Sequence, residues 1–152
     1  MLAVADGTVV AVQDGMPEQV PLQAATHVDK PGDFGGNSVA LEIAPGVYGF
    51  YAHFQPGSIT VQVGDRVTTG QVLGLLGNTG NSGAPHLHFG LNDDIDPIVA
   101  NSLPMVFDHW TLSGTIELEP YFDPSWPTLS LVGTPSEQTN THQLFLDVAN
   151  FG

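Results

Sequence analysis

The chain is 152 residues long, enough for one domain with an appendage, and sets two basic residues, Lys30 and Arg66, against sixteen acidic ones. The resulting formal charge of −14 argues against nucleic acid and anionic membrane surfaces as partners, and zero cysteines exclude disulfides and thiolate metal sites. No run of about 18 apolar residues exists to insert in a membrane as a helix, and composition is silent on oligomeric state.

With 18 glycines and 12 prolines, short elements joined by tight turns are expected. Residues 2–12 read as a β-hairpin turning at Asp6-Gly7. Residues 13–36, interrupted by Pro17, Pro21 and Pro31, read as a long surface loop of the kind that walls a groove. Strands follow at residues 38–44 and 47–54, joined by a Pro45-Gly46 turn. On the second, Val47, Gly49, Tyr51 and His53 should share one face, with Phe50 and Phe54 on the other. Residues 59–63 and 71–76 read as two more short strands. A Gly/Asn loop over residues 77–83 then leads into a strand containing His86. Together these make an all-β antiparallel domain over residues 1–100. Beyond Asp96-Pro97 the composition shifts. Strands are expected at residues 105–110, 115–119 and 142–148, with joints at Pro120, Pro124 and Pro127, making residues 101–152 a small β-rich extension of unassigned role.

The chemistry concentrates in Pro85-His86-Leu87-His88-Phe89-Gly90-Leu91. Alternation along a strand sends His86 and His88 to one face while Leu87, Phe89 and Leu91 pack beneath. Paired imidazoles backed by an apolar row hold a transition metal or share proton transfer. A bare pair of this kind is more often two surface histidines; the Gly/Asn loop before it and His53 at the end of another strand change the balance. Other candidates are weaker. His27 and Asp29 sit in the long loop at i,i+2 spacing, and His109 and His142 read as surface or packing residues. Asp93, Asp94 and Asp96 read as an acidic turn rather than a calcium site. The 77–83 loop precedes a strand and carries no lysine, so it is no phosphate cradle.

The motifs occur in a telling order. They are Ala5-Asp6-Gly7-Thr8-Val9-Val10, Gly36-Asn37-Ser38-Val39, Leu41-Glu42-Ile43, Tyr51-Ala52-His53, Pro56-Gly57-Ser58, Val63-Gly64-Asp65-Arg66-Val67, Gly70-Gln71-Val72-Leu73-Gly74, Gly77-Asn78-Thr79-Gly80 and the HLHF run. In this order and spacing, from about Ala3 to Leu91, the chain resembles the lysostaphin-type (LytM-like) zinc metallopeptidases, which cut peptide bonds in bacterial cell walls. The resemblance implies an antiparallel two-layer sheet or half-barrel, Zn2+ as cofactor, the peptide part of peptidoglycan as partner, and a secreted or envelope location. It implies His88 as a zinc ligand, with His53 and His86 assisting water activation and the transition state; Tyr51 and Asn78 are expected to line the substrate groove. The family takes two further ligands from an HxxxD motif upstream of the strand that starts at Leu2. This sequence does not contain it, so weak zinc binding is expected of this chain. Two rivals remain: a degenerate peptidase-like module that binds wall or activates another hydrolase, and a biotinyl/lipoyl-like carrier domain, whose modifiable lysine Lys30 in its loop matches poorly.

Overall fold

The computed structural model describes residues 1–116, 131–144 and 147–151. It divides into two compact units, Met1–Leu103 and Pro104–Gly152.

The first unit is built on an antiparallel sheet of six strands: β1 (Gly7–Gln13), β2 (Asn37–Ala44), β3 (Val47–Phe54), β4 (Arg66–Val67), β5 (His88–Asn92) and β6 (Ser102–Leu103). Their order across the sheet is β4-β1-β2-β3-β5-β6. β2 and β3 form because apolar and small residues alternate with period two up to the tight Pro45-Gly46 turn, where Ala44 pairs with Val47. One face of the sheet carries Val9, Val39, Leu41, Tyr51 and the partly buried Phe89. These join Ala3, Phe54, Val61, Val67 and Leu73 in a single apolar cluster. Each fully buried Val, Leu or Phe among them stabilises the fold by about 1.5–3 kcal/mol.

The second layer over that core differs from the sequence expectation. Residues 2–12 do not make a hairpin. The Asp6 carboxylate accepts from the Thr69 backbone N–H and hydroxyl (2.8 and 3.0 Å). The chain before it runs beside residues 70–74, with Ala3 N–H on the Gln71 carbonyl and Leu73 N–H on the Met1 carbonyl. Asp6-Gly7 therefore directs the chain from one layer to the other instead of reversing it. β1 is flanked by β2 and β4, so the unpaired edge that a terminal hairpin would leave is absent there. Residues 59–63 and 71–76 are likewise not regular strands. They are held by single bonds such as Thr60 N–H to Leu73 O and by isolated bridges at Leu2–Val72 and Phe54–Leu76. Residues 14–36 form the long loop, containing one 3₁₀ turn at Pro31–Asp33. Lys30 precedes that turn rather than standing at a hairpin tip, which removes the carrier-domain geometry.

In the second unit, β7 (Phe107–Ile116) pairs antiparallel with β8 (Leu131–Val132), β9 (Ser136–Thr141) and β10 (Asp147–Asn150). Trp110 is buried and donates its indole N–H to Thr141 Oγ1. The Phe107 and Phe151 rings pack at 4.8 Å, tilted by 56°. The first two strands expected here are one long strand as far as Ile116; residues 117–119, Pro120, Pro124 and Pro127 lie outside the described residues. Of the strand expected at residues 142–148, only residues 147 and 148 are in a strand among those described.

Candidate active site

β3 and β5 bring the histidines together. Ala52 pairs with His88 and Phe50 with Gly90, so the rings of Phe50 and His88 lie on the sheet face opposite the core, 6.5 Å apart and edge to face. By strict alternation His53 would follow Tyr51 into the core. It does not, because His53 takes φ +68°, a left-handed conformation uncommon outside glycine. That single dihedral reverses the sidedness of β3 and turns His53 onto the Phe50–His88 side. The expected pairing of Tyr51 with His53, and of Phe50 with Phe54, is therefore corrected: Tyr51 and Phe54 are both core residues.

The strained backbone is held at every polar group. His53 N–H donates to Gly35 O and its carbonyl accepts from Gly77 N–H, both at 2.9 Å. Its ring Nδ1 lies 2.6 Å from the Thr79 carbonyl. A carbonyl only accepts, so this contact requires the proton on Nδ1 and leaves the Nε2 lone pair free. His53 is 3% exposed, and burial pushes its pKa below the usual histidine value. The Thr79 carbonyl opposes that shift, and the neighbouring His86 and His88 reinforce it.

His86 reaches the same place differently. β5 begins at His88, so His86 precedes the strand, and Leu87 is exposed rather than packed beneath it. The His86 ring is oriented by its own loop, with Nδ1 donating to Ala84 O at 2.8 Å and the Ser82 hydroxyl at 3.3 Å. The His53 ring centroid lies 4.6 Å from that of His86 and 5.7 Å from that of His88. One nitrogen from each of the three rings falls within 4.8 Å of the others.

His53 and His88 line a groove of about 620 Å³, and His86 stands beside them outside its lining. Ala11, Ser38, Ala40 and Gly90, all small, line it from adjacent strands, and Phe34 and Phe50 border it. The two residues expected to line a groove from sequence do not do so. Tyr51 is fully buried and accepts the Val4 N–H on its hydroxyl; burial raises its pKa to about 12. Asn78 is also buried, donating to Gln19 O and accepting the Ser82 hydroxyl. It ties the long loop to the 77–83 loop. Periodicity does not single out Phe50, Gly35 or Thr79, which the structure places against the histidines. Thr79 carried a signal, the Gly-Asn-Thr-Gly run, that spacing alone does not translate into a carbonyl contact.

The remaining candidates stay outside the cluster. His27 is exposed, and the Asp29 backbone N–H donates to Asp33. His109 pairs with Glu137 on the surface, and His142 bonds the Gln143 carbonyl. The Asp93, Asp94 and Asp96 carboxylates accept from Asn101, Asp96 and Ile98 backbone N–H groups, as an acidic turn does.

A sequence model described as peptidase family M23 matches residues 1–99. The chain belongs to peptidase family M23. It is 48% identical over 56 residues to the glycyl-glycine endopeptidase ALE-1 of Staphylococcus capitis, covering 36% of this chain and 15% of that protein. It is 31% identical over 86 residues to the peptidoglycan DD-endopeptidase ShyA of Vibrio cholerae, covering 57% of this chain and 20% of that one. This M23 chain thus spans a fifth or less of these relatives' length. Its fold is similar to the catalytic domain of the prophage-encoded M23 protein EnpA from Enterococcus faecalis, with TM-score 0.50 and 22% identity over 68% of this chain and 64% of that one. Among the described residues no helix is long and apolar enough to cross a membrane.

The donor chemistry is of the kind zinc takes, three imidazoles on one spot. His53 and His86 have Nδ1 held by backbone carbonyls, which leaves their Nε2 lone pairs for a metal or for a proton, and zinc takes neutral imidazole nitrogen at about 2.0–2.1 Å. Donors on one tetrahedral zinc lie about 3.4 Å apart, so three nitrogens that lie within 4.8 Å of one another would have to close in by up to about 1.4 Å for all three to ligate.

Proposed function

We propose that this chain is part of a zinc endopeptidase that hydrolyses peptide bonds of peptidoglycan, acting outside the cytoplasm as a secreted or envelope protein. The observation that carries the reading is the convergence of His53, His86 and His88 in an M23 chain, beside an open groove that His53 and His88 line. His88 would hold the metal, with the further ligands that the family takes from an HxxxD motif, which this sequence does not contain. Zinc bound there would supply a Lewis acid that polarises the scissile carbonyl and acidifies water. His53, kept neutral by burial with its proton on Nδ1, presents the Nε2 lone pair as a proton acceptor. His86, beside it and exposed, offers a second Nε2 for onward transfer to the leaving amine. The small residues lining the groove let an extended peptide backbone lie close to the sheet.

A second reading is favoured by the mutual proximity of the three donor nitrogens: all three histidines ligate. Zinc calorimetry and mass-spectrometric cleavage of a cross-linked wall peptide, both on the protein carrying an HxxxD segment upstream of Leu2, separate the readings. His88→Ala should abolish zinc uptake. His53→Ala and His86→Ala should leave zinc affinity within a few-fold and slow turnover by about 10²–10⁴. Equal loss of zinc in all three variants would establish the three-histidine site. A protein carrying an HxxxD segment upstream of Leu2 that binds zinc and cuts no wall peptide at any pH would replace the enzyme with a binding or activator module.

A further inference from the structure

Thr79 has no place in the chemistry above, yet it is fully buried and touches the site through its backbone. Its carbonyl takes the His53 Nδ1 proton at 2.6 Å. Its hydroxyl donates to Phe54 O at 2.9 Å and accepts the Asn37 N–H at 2.9 Å. The side chain thus bolts the 77–83 loop to the end of β3 and the start of β2, next to His53. The packing around it leaves no slack. A Cβ on Gly36 (φ +61°) would lie 2.4 Å from the Thr79 carbonyl carbon, and one on Gly80 (φ +74°) would lie 2.3 Å from Gly36 N.

We propose that Thr79 is a positioning residue that assigns the tautomer of His53: the hydroxyl fixes the loop, and the fixed carbonyl claims the Nδ1 proton. In water a neutral imidazole carries its proton on either nitrogen. With the proton on Nε2, His53 would aim an N–H at the other two histidines and hold no lone pair for accepting a proton. A carbonyl behind a catalytic or ligating imidazole sets its orientation and basicity in this way. The importance for turnover rests on the peptidase reading; the tautomer does not.

Ring ¹⁵N shifts of the metal-free full chain above pH 7 report the tautomer directly. Wild-type His53 should carry its proton on Nδ1, with a coupling across the hydrogen bond to the ¹³C-labelled Thr79 carbonyl. Thr79→Val keeps the shape and the carbonyl but removes the bolt. It should shift His53 to a mixture of tautomers while the amide spectrum of the sheet is retained, and Thr79→Ser should restore the wild-type pattern. In the cleavage assay Thr79→Val should lower kcat by about tenfold with KM unchanged. An Nε2-protonated His53 in the wild type, or an absent coupling, overturns the proposal even if Thr79→Val fails to fold. A folded Thr79→Val chain with His53 still wholly Nδ1-protonated overturns it too; a changed tautomer with unchanged kcat upholds the assignment and overturns its role in turnover. A protein carrying an HxxxD segment upstream of Leu2 that cuts nothing yet shows the bond and its loss refutes the peptidase reading and leaves the assignment of the tautomer standing.

Discussion

The end of β3 and the segment 84–88 deliver histidines to one spot by opposite means. His53 is buried, its backbone is in a left-handed conformation, and its N–H, C=O and Nδ1 are all bonded to neighbouring loops. His86 is exposed on a loop and relies on a carbonyl two residues away. The first is part of the folded interior and the second is laid on it. A site of this kind can lose its outer imidazole cheaply, but its inner one only at the expense of the fold.

The sharpest contrast is at Tyr51, two residues before His53. Tyr51→Ala should cost about 3–5 kcal/mol in denaturant unfolding, as for other large buried rings, because a fully buried side chain leaves a cavity. The same residue makes a pH prediction. Its pKa is raised to about 12 from 10, so the unfolded chain releases the proton first. Stability is complete below pH 10 and falls by about 2–3 kcal/mol as pH rises from 10 to 12. Tyr51→Phe should abolish that component of alkaline unfolding, measured as midpoint against pH.

Next comes His53 itself. His53→Ala should cost about 1–3 kcal/mol, since the buried Thr79 carbonyl loses its partner while the left-handed strain remains. His53→Gly should be the milder change by about 1 kcal/mol, reversing the usual strand preference, because glycine adopts φ +68° freely. If alanine proves the better tolerated, the left-handed turn is not what holds this corner. Acid should expose the same residue. A pKa lowered by burial means that the unfolded chain binds the proton first as pH falls below 6.5. Stability therefore declines from there toward the folded value, and His53→Gly should lessen the decline. Smallest of all, His86→Ala should move stability by no more than about 0.5 kcal/mol.

The sequence shows where these residues lie better than which way they face. β2, β3 and the Pro45-Gly46 turn are legible because alternation and turn chemistry are local, and the motif order identifies the family. Sidedness at His53 is not legible, because counting by twos fails across a left-handed residue. Asp6-Gly7 reads as a hairpin turn for a similar reason. Nothing nearby shows that the carboxylate binds Thr69, 63 positions away. Tyr51 reads as a groove residue while its hydroxyl's partner, Val4 N–H, lies 47 positions off. Distant polar partners decided each of these three cases, and periodicity carries no record of them.

The left-handed dihedral at His53 also bears on how such a cleft can arise. A strand that has to serve both an oily interior and a wet cleft would ordinarily divide its residues strictly by parity. Here one backbone rotation lets two side chains of the same parity, Tyr51 and His53, go to opposite sides. A reactive group can thus enter an existing sheet without insertion, deletion or re-registration of its neighbours, and an engineer could move one out again by the same single change.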